Sequence, residues 1–83
     1  MSNDIESAQA AAAKANELNH QREVILAQNR YFNAERRLQD ARRAYRRDPS
    51  PVKQCVIESR ANVFAEAEAA YVAALDAQRA AGA

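Results

Sequence analysis

Hydrophobic residues recur every seven positions along most of the chain. Val24, Tyr31, Leu38 and Tyr45 form one row, and Ala27, Ala34 and Ala41 sit three residues after its first three members. This is a heptad with large side chains at one seam position and alanine at the other, and alanine lets two helix axes approach closely. Leu18, Ile25 and Phe32 make a second row beside the first. The arrangement returns in the second half of the chain. Val56, Val63, Ala70 and Ala77 form one row, Ile57, Phe64 and Tyr71 lie beside it, and Ala67, Ala74 and Ala81 complete the stripe. The pairs Val24-Ile25 and Tyr31-Phe32 recur 32 residues later as Val56-Ile57 and Val63-Phe64, a shared heptad grammar.

Between the two patterned runs lies Asp48-Pro49-Ser50-Pro51. Pro49 disfavours α geometry at Asp48 and has no N–H with which to continue a helix. Ser50 is a good N-cap, and Pro51 fits the first helical position, where no donor is required. The first helix is therefore expected to end near Arg47 and the second to start near Pro51. Asn3, with Glu6 three residues on, is expected to cap the first helix. The pattern predicts an all-α fold, a two-helix antiparallel hairpin with a coiled-coil-like, Ala-rich seam. The hairpin proper is expected over residues 18–81, with its turn at 48–51. At about 1.5 Å per residue, residues 4–47 span roughly 66 Å and residues 51–80 roughly 45 Å. The second helix then reaches back only to about Leu18, so residues 1–17 overhang, fray, or break near Asn16-Asn19 and fold back as a short third helix; with few large apolar residues there, a helical extension, overhanging or frayed, is expected.

The double rows make the apolar stripe wider than one seam needs. In a bare hairpin one row stays in water, and hiding both takes a third or fourth helix. The chain has 83 residues, 48% of them hydrophobic. Of these, 21 are alanine, so the core is shallow. A hairpin this small struggles to bury enough apolar surface alone. The expected remedy is a homodimeric four-helix bundle, or docking on a partner's helices. The dimer and core positions expected are Val24, Ile25, Tyr31, Phe32, Leu38, Tyr45, Val56, Ile57, Val63, Phe64 and Tyr71.

Net charge is +1, but it is unevenly spread. From Arg30 to Arg47 seven arginines stand against Glu35 and Asp40, while residues 61–83 carry Glu66, Glu68 and Asp76 against Arg79. Arg22, Arg36 and Arg43 share one heptad row, Arg30 and Arg37 the next, and Arg42 is expected near them on a solvent face. Such a face can track phosphates or stand solvated beside its i,i+4 partners. Arg30, Arg36, Arg37, Arg42, Arg43, Arg46 and Arg47 are thus the candidate partner-binding residues.

Catalytic chemistry has little to work with. His20 is the single histidine, and Glu17 and Glu23 flank it at helical spacing, a weak ligand set for zinc. Cys55 is alone, which excludes an intrachain disulfide. It falls in the first turn of the second helix near Lys53, where a thiolate is favoured, but no general base can be placed beside it. The single glycine, Gly82, makes no phosphate-cradling loop. No enzyme activity, metal or cofactor is expected. The start, Met1-Ser2-Asn3-Asp4, lacks a basic segment followed by an apolar run, so no signal peptide is expected. No run approaches the roughly 18 apolar residues of a membrane span, so a cytoplasmic chain without membrane contact is expected.

Over residues 18–81 the outline resembles Rop-type helical hairpins, which dimerise into four-helix bundles and bind paired RNA loops. The likeness is architectural and carries no shared motif. The Pro49-Ser50-Pro51 turn and the size also look a little like type III secretion needle subunits. The turn lacks that family's usual Asn before the second proline, and Ala77-Gln78-Arg79-Ala80-Ala81 departs from its apolar C-terminus. The expected function is a protein–protein interaction module: a small adaptor, chaperone or inhibitor acting through helical surfaces. The alternatives are an RNA- or DNA-binding hairpin using the arginines, and a self-assembling structural subunit.

Overall fold

The computed structural model describes residues 2–82, with side-chain surroundings from residue 4 onward. It holds two helices, α1 (Ser2–Arg47) and α2 (Pro51–Gly82), packed on each other as an antiparallel hairpin 71 Å long and 14 Å across. Helix α1 is unbroken through Asn16–Asn19. Asn3 already lies inside α1; its side chain, expected as the cap, is outside the described residues.

The turn closes as the Pro-Ser-Pro chemistry requires. The Asp48 N–H donates to the Ala44 carbonyl at 3.1 Å, a last helical bond before Pro49 ends α1. The Ser50 hydroxyl accepts the Lys53 N–H at 3.2 Å, the N-cap bond, and the Ser50 carbonyl takes the Gln54 N–H at 3.0 Å. Lys53 Nζ reaches across the turn to Asp48 Oδ2 at 3.1 Å. Replacing Ser50 with Ala is expected to cost about 1 kcal/mol, the usual worth of a serine cap. Chemical denaturation checks this, and an unchanged midpoint would show that Pro51 alone starts α2.

The seam of α1 is the one its heptad predicts. Ala27, Ala34, Leu38 and Ala41 are buried, and Val24, Tyr31 and Tyr45 are half-buried. On α2 the facing row is Ile57, Phe64, Tyr71 and Gln78, all half-buried. Its companion row is Lys53, Arg60, Ala67 and Ala74. Tyr31 ties the middle together. Its ring centroid lies 5.1 Å from Phe64, 5.6 Å from Tyr71 and 5.6 Å from Phe32. Tyr31 thus sits between Phe64 and Tyr71, so α1 residues pair in height with α2 residues near 98 minus their own number. By that register α2 ends level with about residue 16, and a cleft there runs from Ala10 to His20 on α1 and from Gln78 to Gly82 on α2.

Candidate interaction surfaces

The repeated pairs meet the seam differently in the two helices. In α1 the first member faces inward: Val24 and Tyr31 enter the seam, while Ile25 and Phe32 stand 56% and 50% exposed. In α2 the second member faces inward: Ile57 and Phe64 enter, while Val56 and Val63 stand 40% and 49% exposed. In two antiparallel helices, residues that follow the seam on each chain segment share one flank, and those that precede it share the other. The two leftover rows therefore lie on opposite sides of the hairpin. One flank carries Leu18, Ile25 and Phe32 from α1 with Val72 from α2; the other carries Leu26 from α1 with Val56 and Val63 from α2. Ala34, Arg37, Val56, Ser59, Arg60 and Val63 line one groove, which fixes the side of the second set. Leu26 and Val72 were not among the residues singled out by heptad counting. Each is adjacent to a seam residue, Ala27 or Tyr71, and that adjacency is the signal that marks them.

Arg30, Arg36, Arg37, Arg42, Arg43, Arg46 and Arg47 are all exposed. Among the described residues Arg43 alone of the seven has an ion pair, with Asp40 at 3.7 Å, itself open to solvent. The arginines do not share one face. Heptad position puts Arg36 and Arg43 on the back of α1. Arg30, Arg37 and Arg47 fall towards the flank of Val56 and Val63, and Arg42 and Arg46 towards the flank of Phe32. They form a basic collar around the turn-proximal part of α1.

His20 takes the seam position that alanine fills at 27, 34 and 41. It is half-buried, and its Nδ1 is shut from water without a hydrogen-bond partner. Glu17 lines the same open-end cleft. Among the described residues no group of three His, Cys, Asp or Glu side chains is placed to hold a metal ion. Cys55 is exposed. No helix among the described residues is long and apolar enough to cross a membrane. Compared with protein-family models, with curated proteins and with solved structures, the chain matches none.

Proposed function

We propose that this hairpin is a non-catalytic helical interaction module that works by burying its flanks against other proteins. The observation that carries the reading is the imbalance of its apolar residues. Among the described residues only Ala27, Ala34, Leu38 and Ala41 are buried, whereas nine large hydrophobic side chains are at least 40% exposed. Seven of the nine are the side chains on the two flanks, Leu18, Ile25, Phe32 and Val72 on one and Leu26, Val56 and Val63 on the other. Large apolar side chains left exposed along a flank, beside charged ones, are candidates for protein-binding surface. The role of adaptor, chaperone or inhibitor follows from whichever partner is bound.

Affinity capture from a nuclease-treated cell extract tests this. The full chain is compared with Phe32→Glu and Val63→Glu, one change on each flank. Proteins retained by the wild type are expected to be lost with at least one variant. Equal capture by all three would remove the flanks from the interaction.

The unpaired arginines favour a second reading, a hairpin that binds RNA or DNA. A protein neutralising several phosphates loses about 10³-fold or more in affinity between 50 and 200 mM salt. Tight, salt-sensitive binding to duplex that drops when Arg36, Arg37, Arg42 and Arg43 become Gln would put this reading first. Absence of binding at the lower salt removes it.

A further inference from the structure

We infer that the flank bearing Ile25, Phe32 and Val72 is covered by a second copy of this chain, with the two hairpins running in opposite directions. The inference rests on the protein-binding reading above and names the partner for one of its two flanks.

Surface area gives the first argument. A compact monomer of this mass exposes about 4,900 Å² by the usual scaling. This chain exposes 6610 Å², an excess of roughly 1,700 Å² over that scaling. A stable interface removes about 800 Å² from each partner. The hairpin therefore has more spare surface than a standard dimer consumes.

Position gives the second. The two-helix stretch runs from the height of residue 16 to the turn, and Phe32 stands at its midpoint. Phe32 is also the single phenylalanine that the seam leaves half exposed. A large exposed aromatic at the middle of a flank is the usual anchor of an interface, and the polar side chains beside Phe32, Glu35, Arg36 and Asp40 among them, would form its rim. Pairing the same flank of two copies about a two-fold axis at that height brings the two anchors together.

Charge sets the direction. By the same register the turn half of the two-helix stretch is residues 33–65, which hold eight of the 12 Lys and Arg and four of the 11 Asp and Glu. The open half of the stretch, residues 16–32 and 66–82, holds three and five, leaving the halves at +4 and −2. Copies laid parallel would set +4 beside +4. Copies laid antiparallel set each basic half beside an acidic one, and like-charge juxtaposition is what suppresses the wrong arrangement.

Sedimentation equilibrium on the full chain, with spin labels on Cys55, tests both parts. Cys55 is the only cysteine and is exposed, so it takes a label without a second change. The expected mass is twice 9.2 kDa, reverting to monomer on dilution. Phe32→Glu is expected to weaken the dimer at least about 30-fold, the loss that defines an anchor residue. Ile25→Glu serves as a second variant on the same flank, and helical circular dichroism verifies that each still folds. Val63→Glu, on the opposite flank, is expected to remain dimeric. An antiparallel pair places the two labels about 33 Å apart along the axis, from the rise per residue. A monomer at all concentrations would overturn the inference, and if it still captured other proteins the binding-module reading would stand without it. Mass growing without limit, dissociation by Val63→Glu instead of Phe32→Glu, or labels closer than about 20 Å, far short of the antiparallel separation, would each overturn it as well.

Discussion

Tyr31→Ala is expected to be among the most damaging single substitutions in this hairpin, costing about 2–4 kcal/mol. The ring is half-buried between the helices and touches three other aromatic rings, two of them on α2. Removing it opens the middle of the seam and deprives Phe64 and Tyr71 of a common neighbour. For a domain of this size the loss corresponds to a fall in Tm of more than about 10 °C. Tyr31→Phe keeps the ring contacts and is expected to stay within about 1 kcal/mol of wild type. Both are measured at one protein concentration, because association shifts apparent stability. A Tyr31→Ala chain that melts with the wild type would show that the aromatic cluster does not hold the helices together.

The second large effect is expected from adding bulk instead of removing it. Ala34 is 6% exposed, in the middle of the alanine row that lets α1 sit close to α2. A Leu that enters the seam here pushes the axes apart at the height of Phe64, and overpacking of this kind costs about 1–3 kcal/mol. Ala44→Leu, on the same helix but exposed, serves as the control and is expected to melt within about 0.5 kcal/mol of wild type. The contrast is measured by thermal denaturation followed by circular dichroism. Equal melting of the two variants would mean that close approach at Ala34 is not what the seam depends on.

Much of this architecture is legible in the amino-acid sequence, because its causes are local. Pro49 and Pro51 around a capping serine dictate where one helix stops and the next begins. Val24, Tyr31 and Leu38 with Ala27, Ala34 and Ala41 declare the seam of α1 by spacing alone. What spacing does not declare is which member of a hydrophobic pair faces inward. Val24-Ile25 and Val56-Ile57 have the same form, yet Val24 enters the seam in α1 and Ile57 in α2. The choice is made by the partner helix. Ile57, Phe64 and Tyr71 present larger side chains to the alanine row of α1 than Val56, Val63 and Ala70 could. The swap sends the leftover rows to opposite flanks, so a stripe that reads as one wide face is two narrower ones. The arginine cluster shows the same limit, since seven residues over 18 positions wind around the helix whatever their proximity in sequence. Lys53 and Arg60 occupy seam positions on α2 that composition marks as surface. Long basic side chains can lay their stems along an alanine surface and keep their charge in water, which no hydropathy pattern records.

The register of the hairpin also orders events in time. Ala41 and Arg60 line one groove with only 19 positions of chain between their numbers, whereas His20 and Gln78 meet in the open-end cleft across 58. Closing the longer loop first costs about 1 kcal/mol more than closing the shorter one. The turn-proximal seam also has the capped serine and the Lys53–Asp48 bridge to hold it once closed. Assembly is therefore expected to run as a zipper from the turn towards the open end, through Leu38 and then Tyr31. Topologies so dominated by nearby contacts fold on microsecond to millisecond timescales. The Ser50→Ala penalty should accordingly fall on the folding rate and leave the unfolding rate nearly unchanged. Temperature-jump relaxation separates the two, and a penalty carried by unfolding would place the first contacts elsewhere than the turn.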